Sequence, residues 1–254
     1  MENRVAIVTG GGSGIGRAIV LRLARNGINV AVADINLDAA GSVVEEIRTT
    51  GGEAVAVQVD VSKPAEVTAM VSKTVDEFGR LDIMVANAGV NRVMTMQQVT
   101  EEAWHWIMDV NAKGIYFCDK AAAIQMIEQG HGGKIINAAP TAGRKGSLHE
   151  SVYSASKFAV VGMTQSLAQE LAPHKITVNA YCPGIVDTPL WEALDQDRAK
   201  IPGARRMAEM VSTTPLGRVQ YAEDVAALVS FLASADSDFI TGQSLIQDGG
   251  RLMF

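Results

Sequence analysis

The hydrophobic positions of this chain are concentrated in seven short runs, which are separated by longer segments of mixed polarity. Each run is rich in Val, Ile and Ala and lacks the alternation of a half-exposed strand, which is typical of parallel strands buried on both faces. We therefore predict seven parallel strands. The runs are RVAIVTG (4–10), INVAVAD (28–34), EAVAVQVD (53–60), LDIMVANAG (81–89), GKIINAA (133–139), KITVNAYCPG (175–184) and SLIQDGG (244–250).

The segments between most of these runs have a helical period and recognisable ends. Gly27 follows the first segment, and Gly51 and Gly52 follow the second; the third is predicted to have Ser62 as its N-cap and to end at Gly79. Alternating strands and helices predict an α/β fold, a Rossmann-like, doubly wound parallel sheet of about seven strands with helices on both faces. Ligands of such folds bind at the carboxyl ends of the strands.

The composition narrows the class of protein. The 254 residues contain no Pro- or Ser-rich linker, so we predict a single domain over 1–254. A net charge of −6 argues against a nucleic-acid partner. No apolar stretch approaches the roughly 20 residues that span a bilayer, and the N-terminus does not read as a signal peptide, so no membrane partner is expected. The two scattered cysteines, Cys118 and Cys182, suit a reducing compartment, and we predict a cytoplasmic protein.

No metal site is predicted. The histidines at positions 105, 131, 149 and 174 lack the spacing of a ligand set, and two cysteines cannot form a cluster. Surface or packing roles are the expected ones for these side chains.

The first predicted strand runs directly into the sequence TGGGSGIG. Gly10, Gly14 and Gly16 allow a sharp turn that opens a helix, whose free N–H groups and positive dipole end suit a pyrophosphate. The spacing departs from the six-residue dinucleotide fingerprint, because the sixth position counted from Gly10 is Ile15, so a purely structural turn stays open. Asp34 ends the second strand, 20 residues after Gly14, where a carboxylate accepts ribose hydroxyls and repels a 2′-phosphate. The alternative for Asp34 is an ordinary helix cap.

Several further motifs occur in register and together carry a resemblance to a known family. With the TGGGSGIG turn they make the chain resemble the short-chain dehydrogenase/reductase family over nearly its whole length. The segments VNAYCPGIVDTPLW and LASADSDFITGQSLIQDGG are most similar to its acetoin reductase, 2,3-butanediol dehydrogenase and polyol dehydrogenase branch. The other motifs are Asp60–Val61, NAG at 87–89, Asn111, YSASK at 153–157 and PGIVDTPL at 183–190.

The resemblance implies an NAD(H)-dependent oxidoreductase that transfers hydride between nicotinamide and a small secondary alcohol, diol or polyol, or the corresponding ketone. Tyr153 and Lys157 stand four residues apart and share a helix face. The family uses this pair with Tyr153 as the acid/base, since a nearby ammonium and an oxidised nicotinamide favour the phenolate. It uses the asparagine at Asn111 to hold a water in a proton relay. A structural Tyr/Lys pair, and an asparagine that satisfies a helix irregularity, are the alternatives.

The family's cofactor shell and assembly carry over as expectations. The segment from Pro189 to Tyr221 is expected to close over the substrate, or else to be a plain surface excursion, and the family implies a homotetramer. The implied NAD-binding residues are Gly10, Ser13, Gly14, Ile15 and Gly16 at the phosphates, Asp34 at the adenine ribose, Asp60 and Val61 at adenine, Asn87 and Gly89 in the centre, Tyr153 and Lys157, and Pro183, Gly184, Val186 and Thr188 on the nicotinamide side.

One position departs from the family pattern. The catalytic serine normally stands 13 residues before the tyrosine, and here that position is Pro140, preceded by Ala139. Proline has neither a hydroxyl nor a backbone N–H to donate to the substrate oxygen. Thr141 is one replacement donor, although strand alternation aims it away from position 140 unless the chain bends.

Two further explanations stay open. Asn91, His149 or Glu150 could orient the substrate beside Pro140. Alternatively, the chain is a cofactor-binding protein with weakened or altered catalysis. The intact Tyr153 favours a working enzyme, whereas Pro140 favours the alternative.

Overall fold

All seven predicted strands are present and form one parallel sheet. The structure is a computed structural model that describes residues 4–253. The strand order is β3-β2-β1-β4-β5-β6-β7, so the direction of winding reverses between β1 and β4. The strands are β1 (Val5–Thr9), β2 (Asn29–Asp34), β3 (Ala54–Gln58), β4 (Ile83–Ala86), β5 (Gly133–Ala138), β6 (Ile176–Pro183) and β7 (Ser244–Gln247).

The helices cover both faces of the sheet, as predicted. Alternating side chains of β1 show this directly: Ile7 packs into the core on one face, and Ala6 and Val8 pack into the core on the other. Burying one such aliphatic side chain stabilises the fold by about 1.5–3 kcal/mol. The helices are α1 (Gly14–Arg25), α2 (Leu37–Thr49), α3 (Pro64–Phe78), α4 (Glu101–Met108), α5 (Ile115–Gln129), α6 (Ser151–Leu171), α7 (Pro189–Ala199), α8 (Met207–Ser212) and α9 (Ala222–Leu232).

The helix ends agree with the sequence pattern except at the start of α3. Gly79 ends α3 in the left-handed conformation, with φ of 80°. The prediction that Ser62 caps this helix is wrong, because Lys63 is the N-cap and Pro64 is the first helical residue. Proline's fixed φ suits that first position. The Ser62 hydroxyl instead donates to Oδ1 of Asp60 at 2.6 Å, which draws it away from the helix.

Two irregular regions position the site. Residues 109–114 form a π-helical turn between α4 and α5, which is the kind of helix irregularity considered as the structural alternative for Asn111. The segment after β6 contains α7 and α8 and covers the carboxyl edge of β5 and β6. Between residues 4 and 253, no helix is both long and apolar enough to cross a bilayer.

Candidate active site

Two cavities meet at the carboxyl edge of the sheet. The first, here called the groove, has a volume of about 590 Å³ and runs across the ends of β1, β2 and β4. The second, here called the cleft, has a volume of about 570 Å³ and lies beneath α7. The fold's topological switch point, between β1 and β4, therefore lies in the groove. Residues that line both cavities are Ile15, Pro140, Tyr153, Pro183, Thr188 and Leu190.

The glycine-rich turn forms one end of the groove. Gly10 and Gly14 have φ of 65° and 50°, which favours glycine. A Cβ on Gly16 would lie 1.9 Å from the carbonyl oxygen of Gly10, so only glycine permits this close approach. Ser13 is the N-cap of α1, but its side chain makes no capping hydrogen bond. The first N–H groups of α1 and its positive dipole end therefore stay available to an anion.

Asp34 lies at the end of β2, on the groove wall. Its Oδ2 accepts a hydrogen bond from the Gly12 N–H at 2.9 Å, and its Oδ1 accepts one from the Asn36 N–H at 3.0 Å. Asp34 does not cap α2, because that role belongs to Asn36, whose Oδ1 accepts from the Ala39 N–H at 3.1 Å. The backbone thus holds a carboxylate at the edge of the groove.

Asn87 lies in the centre of the groove and is joined by hydrogen bonds to Thr9, which precedes the glycine-rich turn. Its Nδ2 donates to the carbonyl of Thr9 at 2.8 Å, and its own N–H donates to the Thr9 hydroxyl at 3.0 Å. The hydroxyl of the buried Tyr181, on β6, donates to Oδ1 of Asn87 at 2.7 Å. Tyr181 was not among the sequence candidates, because it reads as one more apolar residue of a strand.

Most of the expected cofactor residues line the groove, and two do not. Asp60, Val61 and Gly89 are at the groove wall. The hydrogen bond from Ser62 holds the pKa of Asp60 below its usual value. Gly184 and Val186 line the cleft instead, because the chain turns away from the groove after Pro183 at the end of β6.

Tyr153 and Lys157 project from α6 at the junction of the two cavities. The Lys157 Nζ lies 5.7 Å from the centre of the Tyr153 ring and donates to the carbonyl of Ala138 at 3.1 Å. Burial lowers the pKa of Lys157 to about 7. Burial also raises the pKa of Tyr153, and the charge of Glu150 adds to this rise. In the protein without cofactor, desolvation therefore outweighs the lowering of the Tyr153 pKa that is expected from the neighbouring Lys157 ammonium.

Asn111 lies in the π-helical turn and lines neither cavity. Its Oδ1 accepts from the Val90 N–H at 2.8 Å, and its Nδ2 donates to the Val90 carbonyl at 2.8 Å and to the Ser156 hydroxyl at 3.3 Å. The fully buried side chain thus joins the loop after β4 to α6. This geometry fits the structural alternative for Asn111, and its relay role stays a prediction.

The chain bends at Pro140. β5 ends at Ala138, and Pro140 precedes a short 3-10 turn in which the Gly143 N–H donates to the Pro140 carbonyl at 2.6 Å. Because of this bend, Thr141 lines the cleft. Its hydroxyl forms no hydrogen bond to any residue between 4 and 253, so it is available to a ligand. The bend that a threonine donor requires is therefore present.

The three other substrate candidates, Asn91, His149 and Glu150, also line the cleft. Asn91 Nδ2 donates to Glu150 Oε2 at 3.2 Å, and His149 has φ of 63°. Glu150 forms a buried ion pair with Arg198 of α7. Burial raises the pKa of Glu150, while Arg198 and the Asn91 hydrogen bond oppose this shift.

Arg198 is a site residue that the sequence analysis missed. It is 6% exposed, lines the cleft, and its guanidinium lies 5.4 Å from the ring centre of Trp191. In the sequence it is one charge in a mixed helix, a pattern that ordinarily indicates a solvent-facing residue. Leu190, Trp191 and Leu194, from the segment 189–221, also line the cleft, and closure of this segment over a substrate stays a prediction.

The profile of the short chain dehydrogenase family matches residues 4–199. The chain belongs to this family. It is 43% identical over 255 residues to L-2,3-butanediol dehydrogenase of Corynebacterium glutamicum. The alignment covers 98% of this chain and 99% of that protein. It is 40% identical over 256 residues to galactitol 2-dehydrogenase of Agrobacterium fabrum, with 100% and 99% coverage.

The fold is similar to the crystal structure of a short-chain type dehydrogenase/reductase from Mycobacterium marinum, with a TM-score of 0.90 and 37% sequence identity. The superposition covers 97% of this chain and 94% of that one. The chain is accordingly an oxidoreductase of the alcohol, diol and polyol branch that uses a nicotinamide cofactor. The groove fits that group, with free N–H groups for phosphates, the Asp34 carboxylate for hydroxyls and a buried Lys157 amine.

Proposed function

We propose that this short-chain dehydrogenase is specific for NAD(H) and interconverts a small secondary alcohol, diol or polyol with its ketone. The observation that carries the proposal is Asp34, a carboxylate held at the groove wall by two backbone N–H groups. A carboxylate there accepts ribose hydroxyls and repels a 2′-phosphate. The family supports the reaction class, and the diol and polyol relatives support the substrate class.

In this proposal Tyr153 moves the proton. Bound nicotinamide supplies the hydride acceptor or donor. Tyr153 lies where the groove and the cleft meet, so its hydroxyl can reach a substrate oxygen in the cleft while the ring borders the groove. Lys157 lies behind it, and with a pKa of about 7 its amine can change protonation state near neutral pH. Asn111 does not contact the substrate but holds α6 in position, through its hydrogen bonds to Val90 in the loop after β4 and to Ser156 on α6.

Thr141 is the donor that takes the place of the missing serine hydroxyl. It reaches the cleft because Pro140 starts the 3-10 turn. Asn91, His149 and Glu150 then shape the polar side of the cleft around the substrate. A donor aimed at the developing oxyanion is worth about 3 kcal/mol in the transition state.

The cofactor part of the proposal is tested by steady-state kinetics with NAD and NADP over a panel of diols and polyols. Wild type should have the higher kcat/KM with NAD, and Asp34→Ser should reduce this preference at least about tenfold, because the repulsion is lost. Asp38→Ser, on the exposed start of α2, is the matched control. A wild-type preference for NADP contradicts the proposal. NADH binding without turnover of any substrate would instead support the vestigial alternative.

We also propose that the enzyme is a homotetramer. Large apolar side chains are exposed on α4, α5 and α6, including Trp104, Ile124 and Phe158 at 44%, 49% and 48%. Helix faces of this kind are typical of interfaces in closed oligomers. Light scattering at micromolar concentration should give four times the 26.9 kDa chain mass, and a monomeric mass would refute the proposal.

A further inference from the structure

The charged residues of the cleft are predominantly basic, although the whole chain has a net charge of −6. A cavity that binds a neutral diol or polyol has no need of surplus positive charge. Unbalanced like charges at one cavity raise the local potential and destabilise the empty protein. The bases that line the cleft are Lys145, Arg198, Arg205 and Arg251, and the acids are Glu150 and Asp248.

Arg198 is the innermost of these bases. One terminal nitrogen is paired with Glu150, so the two charges balance each other. The Nε–H of Arg198 is buried and has no hydrogen-bond acceptor between residues 4 and 253. A buried guanidinium N–H without an acceptor is costly. The Nε atom is inaccessible to solvent, so this N–H does not face a ligand in the cleft, and Arg198 serves to pair with Glu150.

Lys145, Arg205 and Arg251 remain against the single acid Asp248, and the two arginines lie on the same side of the cleft as Asp248, in the sequence segments after α7 and β7. Asp248 does not bond to the Arg251 guanidinium: its Oδ1 accepts from the backbone N–H groups of Gly250 and Arg251 at 3.0 and 3.1 Å, and its Oδ2 has no donor between residues 4 and 253. Among residues 4–253, the Arg205 guanidinium donates hydrogen bonds only to the Glu209 carbonyl and the Thr213 hydroxyl, at 3.5 and 3.4 Å. Neither arginine forms an ion pair with a carboxylate of the described chain.

The two arginines are close enough to affect each other. Burial lowers the pKa of Arg251, Asp248 opposes this shift, and the charge on Arg205 adds to the lowering. Both arginines line the cleft, Arg251 half-buried and Arg205 exposed, and an anion bound between them would offset their mutual repulsion. Arginine is also the side chain best suited to bind carboxylate or phosphate oxygens with two parallel hydrogen bonds.

We propose that the substrate of this enzyme carries an anionic group, a carboxylate or a phosphate, which binds to Arg205 and Arg251 while its alcohol or ketone carbon lies at Tyr153. This inference rests on the proposed function, and it narrows the substrate class from small secondary alcohols, diols and polyols to those that also carry a carboxylate or a phosphate.

Matched substrate pairs test the proposal and distinguish the two anions. Sorbitol is compared with sorbitol 6-phosphate, and 2,3-butanediol with 3-hydroxybutyrate, as kcat/KM under saturating cofactor. We expect at least one anionic member to exceed its neutral partner by about tenfold or more, as a charge-assisted hydrogen bond would provide. Arg205→Gln and Arg251→Gln should each reduce this ratio about tenfold, and Arg25→Gln, exposed on α1, should leave it unchanged.

Equal or better turnover of both neutral members, or an anionic preference that neither arginine substitution changes, overturns the inference. If no member of the panel is turned over, the proposed function has failed, and calorimetric titration decides the inference separately. In that case sorbitol 6-phosphate should bind wild type and bind Arg251→Gln at least about tenfold more weakly. Equal binding to both proteins would assign the phosphate to the turn before α1 and overturn the inference.

Discussion

The groove and the cleft are two halves of one active site, but they are built in different ways. The groove is made by backbone and small residues at the ends of consecutive strands, and its acid, Asp34, is held by N–H groups from the adjoining loops. The cleft is made by polar and charged side chains from distant segments: Asn91 follows β4, Glu150 precedes α6, and Arg198 lies on α7. In the proposed function, cofactor recognition therefore depends on local geometry, and substrate recognition depends on long-range packing.

The energetics of the two halves differ accordingly. Polar groups such as Asn87 in the groove are satisfied by short hydrogen bonds to nearby strands. The cleft instead buries the Glu150–Arg198 pair, whose desolvation offsets much of its attraction, and leaves the Arg198 Nε without an acceptor. The cleft is therefore the electrostatically costlier of the two halves.

The largest expected effect is at Tyr153, where the two halves meet. Tyr153→Phe removes the proton carrier and little contact area, so kcat should fall by about 10²–10⁴ or more while NADH affinity stays nearly unchanged. Stopped-flow turnover and NADH fluorescence titration measure the two quantities. Tyr116→Phe, on the exposed side of α5, is the control. Comparable kcat in Tyr153→Phe would show that another group moves the proton.

The next effect separates the two explanations of Pro140. Thr141→Val should lower kcat/KM about tenfold to a hundredfold, because the bend at Pro140 makes Thr141 the hydroxyl that reaches the cleft. Thr141→Ser, which keeps the hydroxyl, should retain most of the activity. Adding Pro140→Ser to Thr141→Val should restore part of the loss.

A Thr141→Val enzyme with unchanged kcat/KM would mean that the cleft orients the substrate through Asn91, His149 or Glu150. If Pro140→Ser alone then raised activity, the departure from the family pattern would be a defect rather than a rearrangement. NADH affinity should not change in any of these variants.

The smallest expected effect is confined to the groove. Tyr181→Phe leaves Oδ1 of Asn87 without its donor, and an unsatisfied buried acceptor costs about 1–3 kcal/mol. We expect the Kd for NADH to rise about tenfold, with little change in the KM for the alcohol. Fluorescence titration and the same substrate panel measure both, and a single cooperative melting transition excludes misfolding. A change in the substrate KM alone would contradict the separation of the two halves.

Much of the fold could be predicted because its signals are local. All seven strands and their parallel arrangement follow from β-branched runs separated by helical segments, since a buried parallel strand needs apolar residues on both faces. Gly10, Gly14 and Gly16 mark their turn because left-handed φ or close approach excludes other residues there. The four-residue spacing of Tyr153 and Lys157 puts them on one helix face.

Local sequence patterns did not predict two features whose geometry depends on hydrogen bonds to other residues. Ser62 has the composition of an N-cap, but Asp60 accepts its hydroxyl, and Pro64 makes Lys63 the cap. The π-helical turn at Asn111 depends on Val90, which is distant in sequence. In each case the deciding partner is a tertiary contact or a neighbouring side chain that a periodicity does not register.

The sequence by itself determined the sheet, the glycine-rich turn, the position of Asp34 at the end of β2 and the Tyr153 and Lys157 pair, because each depends on residues close together in the chain. Only the tertiary structure decided that Thr141 reaches the cleft, that Gly184 lies there rather than in the groove, and that Arg198 is buried. Burial and electrostatic pairing of a charge depend on which distant segments pack around it. A long charged side chain has the same sequence signature in solvent and in a cavity, and only its packed neighbours distinguish the two.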